Sequence, residues 1–234
     1  MPNKSPLLLI PGLACTADLF EDQIRSIGGG RPVHIADTSG FDNFEELGRA
    51  ILDQAPPEFA LAGLSMGGYL AFELLRQAPE RVLRLALLDT SARADTLEKV
   101  EDRKRAIRLA STTGLERVQT ATLPFLVARA RFADAALKQR ILGMARDTGI
   151  GAWTRQMKAL MTRPSSVADL GRITCPTMIV VGDDDRLTPL DCAREMAHAI
   201  PHAELHVIED CGHLSSMERP ERVTQLMQAW LAGR

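Results

Sequence analysis

The sequence predicts an α/β fold: a doubly wound, mostly parallel sheet of about six strands with a helical cap. Three observations point there. Short apolar runs alternate with longer helical patterns, and most of those runs end on Gly, Asp or Pro. Each run is nearly continuous in apolar residues, as expected of strands covered on both faces. A chain of 234 residues, 45% of them hydrophobic, is long enough for one large core.

In chain order, the expected strands are Leu7–Ile10, Pro32–Ala36, Phe59–Ala62, Leu83–Leu88, Thr177–Val181 and Glu204–Ile208. The third is followed by the helical pattern Tyr69–Gln77, which stops before Pro79. Between the fourth and fifth strands, Ser91–Arg172 is rich in Ala, Arg, Leu and Thr and offers no good strand. Helical spacing recurs there, in Val100–Ala110 and in Trp153, Met157, Leu160 and Met161. Residues 1–90 and 173–234 therefore form the expected core, and residues 91–172 a helical cap inserted into it.

Composition excludes several classes. Aromatics are scarce at 4% and are not interleaved with basic residues, which speaks against a nucleic-acid platform. No apolar run reaches the roughly 18–20 residues that a membrane-spanning helix needs, and MPNKSPLLLIPGL makes no convincing signal peptide. Cys15, Cys175, Cys192 and Cys211 lack C-x-x-C pairing and read as free thiols of a cytoplasmic protein. The net charge of −2 hides an asymmetry: Ser91–Arg172 holds 16 Lys+Arg against 8 Asp+Glu, whereas the remainder holds 12 against 22. A basic cap resting on an acidic core is the plain reading. The sharper one is that Arg103, Arg105, Arg108, Arg129 and Arg131 steer anionic substrates, or an acidic carrier protein, toward the site.

The chemistry starts at Gly63-Leu64-Ser65-Met66-Gly67-Gly68, which joins an expected strand to an expected helix. A serine at the apex of so sharp a turn needs residues without a side chain two places before and after it. Its hydroxyl then meets the positive end of the helix, where developing negative charge is favoured. Serine is a weak nucleophile at neutral pH and needs a base and a group that orients the base. An acidic cluster, Asp183-Asp184-Asp185, follows the fifth strand, and Glu209-Asp210-Cys211-Gly212-His213 follows the sixth. Both lie at the carboxyl edge of the sheet, where ligands bind in open α/β folds.

With Leu7–Leu13, Gly63–Gly68, Gly182–Pro189 and Cys211–Pro220 in register, the chain resembles the α/β-hydrolase superfamily over nearly its full length. It is most similar there to short cytoplasmic serine esterases, a group that includes carrier-protein methyl esterases, enol-lactonases and arylesterases. The resemblance implies a catalytic Ser65, Asp185 and His213, and an oxyanion hole formed by the backbone N–H groups of Leu13 and Met66. Asp89, at the end of the fourth strand, is the rival acid, although a turn or cap role is its ordinary reading. Two departures stand out. The family's His-Gly after the first strand is Pro11-Gly12, and its Gly-x-Gly-x-Ser loop after the second is Asp37–Phe44.

Phe125, Trp153, Met157, Leu187 and Leu214 are candidates for the substrate pocket, with Trp153 and Met157 more often the seam of a core. Asp183 and Asp184 read as solvated or capping acids, and Cys15 and Cys211 as small packing residues. His34 and His206 sit in strand patterns. His198 and His202 have metal-like spacing, but Pro201 breaks the helix between them and no third ligand completes a set, so no metal is expected. The expected function is cleavage of small carboxylic esters through an acyl-enzyme, without a cofactor, in a monomer or homodimer. Thioester, enol-lactone or C–C cleavage uses the same machinery, and a catalytically quiet binding protein is the alternative of another class.

Overall fold

The computed structural model describes residues 5–233. Six strands, β1 (Leu7–Ile10), β2 (Val33–Ile35), β3 (Phe59–Leu64), β4 (Val82–Leu88), β5 (Thr177–Gly182) and β6 (Glu204–Ile208), form one sheet in the order β2-β1-β3-β4-β5-β6, every neighbouring pair parallel. The α/β expectation holds, with strand ends within two residues of those read from the sequence. The expectation of cover on both faces holds for β1, β3, β5 and, from Leu85 onward, β4, whose Leu83 is exposed. It fails for β2 and β6, which are the edges of the sheet and carry half-buried and exposed residues.

The helices lie on both faces. They are α1 (Glu21–Ile27), α2 (Phe44–Gln54), α3 (Met66–Gln77), α4 (Leu97–Thr113), α5 (Leu115–Leu126), α6 (Ala135–Thr162), α7 (Leu190–Ala199), α8 (Ser215–Glu218) and α9 (Pro220–Ala232). Local chemistry sets their starts. Asn43 accepts from the N–H groups of Glu45 and Glu46 to begin α2, Thr96 accepts from Lys99 N to begin α4, and Asp134 accepts from Leu137 N to begin α6. Gly149, at φ +73°, bends α6 in mid-course. Alternate residues of the central strands feed two apolar layers. Leu8, Ile10, Leu61 and Leu85 pack with α2 and α3, whereas Leu7, Leu9, Ala60 and Leu88 pack with α1 and α9.

Residues between β4 and β5 form α4, α5 and α6, which pack on one another. No helix among the described residues is long and apolar enough to cross a membrane. Because every strand runs parallel, the loops after β1, β3, β5 and β6 leave the same edge of the sheet, and the order 2-1-3 places a reversal of strand sequence beside β1.

Candidate active site

Ser65 sits between β3 and α3 at φ +56° and ψ −114°, a conformation that costs a non-glycine residue about 1–3 kcal/mol. The surroundings over-determine it. Ser65 N donates to Leu88 O at 2.9 Å, while Ser65 O accepts from Gly68 N, Tyr69 N and the Thr90 hydroxyl. A Cβ on Gly63 would overlap the Gly67 backbone, and one on Gly67 would overlap the Ile10 carbonyl, so the turn closes only with glycine at both positions.

His213, fully buried, presents Nε2 at 2.8 Å from Ser65 Oγ. Its Nδ1 lies 3.0 and 2.9 Å from the two carboxylate oxygens of Asp185. With Nδ1–H donating to Asp185, Nε2 is left to accept from the serine hydroxyl. Asp185 is held in turn: one oxygen accepts from Leu187 N and Thr188 N, and the other accepts the Thr188 hydroxyl at 2.7 Å. Burial pulls the His213 pKa down, but the Asp185 carboxylate outweighs it and the net shift is upward. Burial pushes the Asp185 carboxyl up, and His213 with the hydrogen bonds from Thr188 more than offsets this, leaving it below the ordinary value. Chemically, the array can take the Ser65 proton onto His213 and hold the imidazolium against a carboxylate.

The turn after β1 passes beside the serine: a Cβ on Gly12 would stand 3.5 Å from Ser65 Cβ. Among the described residues, neither Leu13 N–H nor Met66 N–H donates to a protein acceptor. Such free donors beside a reactive hydroxyl can receive an oxyanion.

Three further residues hold this array. Asp89, 0% exposed and at φ +45°, accepts from Gly182 N at the end of β5 and from Ser215 N two residues past His213. Burial first, then the Asp185 charge, pushes its carboxyl up to about 8. Glu218, 1% exposed, accepts from Gly212 N at 3.0 Å and Leu214 N at 3.4 Å, on either side of His213, and from Ala128 N at 2.8 Å. Thr188 is the third. Asp183 and Asp184 also act on backbone, accepting from Cys211 N and Arg129 N. The one sequence signal for Glu218 is an acid three residues into a short turn that begins just after the histidine.

Beside Pro11 and Cys15 opens a cavity of about 680 Å³, walled by Ala36–Ser39 after β2 and by Asp147, Thr148, Gly151, Ala152, Arg155 and Gln156 of α6. None of the five residues assigned to the pocket from sequence is among those lining it. Trp153 and Met157 are buried in an apolar seam with Ala14, Ala110, Leu115 and Val118, against which Leu13 packs. Phe125 is 49% exposed, with the Arg186 guanidinium 5.9 Å from its ring centre. Leu214 is packed under the sheet, and Leu187 is half-buried in the acid loop. For Trp153 and Met157 the physical reason is that an apolar helix face in a small helical layer is first consumed by packing.

The four cysteines are free, and burial pushes the thiols of Cys15 (to about 12) and Cys211 up, away from nucleophilic use. His34, His198 and His202 are exposed and His206 is half-buried on the edge strand β6; no metal-ligating cluster is found among the described residues.

Residues 7–226 match the model of the alpha/beta hydrolase family. The chain belongs to that family. It is an α/β-hydrolase enzyme, and esterases are among its structural neighbours. It is 25% identical to a pimeloyl-[acyl-carrier protein] methyl ester esterase of Nitrosomonas europaea, over 97% of this chain and 96% of the relative. It is also 25% identical to a 2-hydroxy-6-oxononadienedioate/2-hydroxy-6-oxononatrienedioate hydrolase of a Pseudomonas species, over 95% and 84%. A thermophilic esterase of Thermogutta terrifontis superposes with a TM-score of 0.89 at 28% identity, covering 98% of this chain and 90% of that one. The enol-lactonase of Burkholderia xenovorans shares the fold, with a TM-score of 0.88 at 22% identity over 98% and 92%.

Proposed function

We propose that this α/β-hydrolase cleaves small carboxylic esters through an acyl-enzyme on Ser65, in the cytoplasm, where four free cysteines are at home. The observation that carries the reading is the 2.8 Å approach of His213 Nε2 to Ser65 Oγ, with Asp185 on the far nitrogen. Ser65 Oγ attacks the carbonyl carbon as its proton passes to His213 Nε2. The carbonyl oxygen becomes an oxyanion and takes hydrogen bonds from Leu13 N–H and Met66 N–H. The intermediate collapses, and the departing alkoxide takes the proton from His213. Water repeats the sequence on the acyl-enzyme, leaving the acid product and a Ser65 hydroxyl.

Enol-lactone, thioester and C–C substrates pass through the same oxyanion, and relatives named as a methyl ester esterase and a 2-hydroxy-6-oxononadienedioate/2-hydroxy-6-oxononatrienedioate hydrolase keep more than one carbonyl substrate in view. The basic helical segment, read as a cap, favours an ester that is anionic or carried on an acidic partner. The test is a panel of short and long acyl p-nitrophenyl esters, an acyl thioester and an enol-lactone, with Ser65→Ala beside wild type. We expect ester turnover to fall at least about 10³-fold in Ser65→Ala, and chain-length preference to report cavity depth. Turnover that survives the substitution contradicts the assignment of the nucleophile. A wild type inactive on every substrate that still binds a ligand favours a binding protein.

A further inference from the structure

Both departures from the family pattern, Pro11-Gly12 after β1 and Asp37–Phe44 after β2, are met by one buried side chain from the helical segment. Gln156 of α6, 1% exposed, accepts from Ala14 N at 3.1 Å through Oε1 and donates to Thr38 Oγ1 at 2.8 Å through Nε2. Gly12–Cys15 is a tight turn closed by Cys15 N–H donating to Gly12 O at 3.2 Å. Its third residue, Ala14, stands at φ +58°, where non-glycine residues rarely settle. Gly12 C=O and Leu13 N–H belong to one planar peptide, so fixing the carbonyl inside the turn aims the Leu13 N–H outward. The next peptide, Leu13–Ala14, is the one that Gln156 grips.

We propose that Gln156 is a positioning residue for the oxyanion hole, holding the Gly12–Cys15 turn so that Leu13 N–H points at the developing charge, and so ties the seating of α6 to the reaction. The proposal rests on the reading of Leu13 N–H as an oxyanion donor. Thr38, 5% exposed, keeps the Gln156 amide from rotating and leaves Oε1 for Ala14. A glutamine this deep, with both ends used on different loops, is specific in a way that an apolar residue of equal length is not.

Three variants test it: Gln156→Met removes the acceptor with little change of volume, Gln156→Glu keeps an acceptor for Ala14 N, and Thr38→Val removes the partner of Nε2. For Gln156→Met, kcat on a p-nitrophenyl ester should drop about 10- to 100-fold with KM within about threefold, the pattern of an interaction made in the transition state. Gln156→Glu should recover most of that loss. Amide hydrogen exchange over residues 11–16 should quicken in Gln156→Met while that over 211–216 stays as in wild type. A folded Gln156→Met with kcat within twofold of wild type overturns the proposal, as does unchanged exchange over 11–16. Should Gln156→Met not fold, Thr38→Val decides: a lower kcat at constant KM supports the strut, and an unchanged kcat overturns it. The exchange measurement needs no turnover. A wild type without Ser65-dependent hydrolysis would therefore defeat the functional reading while exchange still judged the grip on the turn.

Discussion

Ser65 occupies a backbone conformation that would relax if it could, and four hydrogen bonds to its own peptide groups, with the glycines around it, keep it there. His213 and Asp185 are tuned to match. Because the net shift of His213 is upward, its imidazole loses its proton above the ordinary histidine value of about 6.5. A general base must be neutral, so kcat/KM should fall as pH drops through that raised value, with an acid limb above about 6.5. Asp185→Asn removes the charge that raises it. The limb should then move down, and kcat should fall by about 10²–10⁴. A wild-type limb at or below 6.5 in a pH profile of kcat/KM contradicts this account. Ser65, Asp185 and His213 were legible because each stands in a short motif at the end of an apolar run. Glu218 and Gln156 were not, since what they hold is backbone N–H as many as 142 residues away, and backbone donors leave no trace in sequence; Asp89, whose ordinary reading is a turn or cap role, does accept from backbone N–H.

At the scale of elements, the site is a set of loops at the ends of β1, β3, β5 and β6, each pinned to another by a buried polar side chain. Asp89 joins the end of β4 to the acid and histidine loops, and Glu218 joins the histidine loop to the segment after α5. In Glu218→Gln the amide must turn its NH₂ toward at least one backbone donor. The loss should be about 1–3 kcal/mol in urea unfolding, with a lower kcat and little change in KM. A variant as stable and as fast as wild type would remove Glu218 from its positioning role. The central strands were readable from apolar runs. The edges β2 and β6 were recognised as strands but misjudged as covered, because a short run of Val, Ile and Leu does not say whether a neighbour lies on its far side. A similar ambiguity holds for Trp153 and Met157, which are as apolar as a substrate roof and are packed in a buried seam.

Over the whole molecule, part of the charge asymmetry is spent on contacts between the helical segment and the rest, and much of the remainder on pairs within the segment. Arg140 pairs with Asp18 and Glu21, Arg93 with Asp191 and Glu195, and Lys158 with Asp42. Arg103 turns inward to Asp95, which also pairs with the buried Arg163 stacked 3.8 Å over the Tyr69 ring, and Arg131 pairs with Asp134. Arg105 pairs with Asp102 on the same helix, so Arg108 and Arg129, both exposed, are the members of the sequence-derived set without an ion pair among the described residues. The partly exposed pairs are worth about 0–1 kcal/mol each, so salt should change stability little. Steering by the remaining surplus is a rate effect, screened over about 8 Å at physiological salt. From about 20 mM to about 300 mM salt, kcat/KM for an anionic ester should fall several-fold while that for a neutral ester of equal length holds. Equal responses of the two esters would leave complementarity as the whole role of the basic segment.

The claim on which the rest depends is that Ser65 carries the acyl group. Rapid quenching of the enzyme with a p-nitrophenyl ester, followed by intact-mass and peptide-level mass spectrometry, tests it most directly. The account predicts a single adduct of the acyl mass on the peptide containing Ser65, absent in Ser65→Ala, with a burst of nitrophenol of about one equivalent where deacylation is the slow step. An adduct on another residue, or steady hydrolysis by Ser65→Ala, would contradict it.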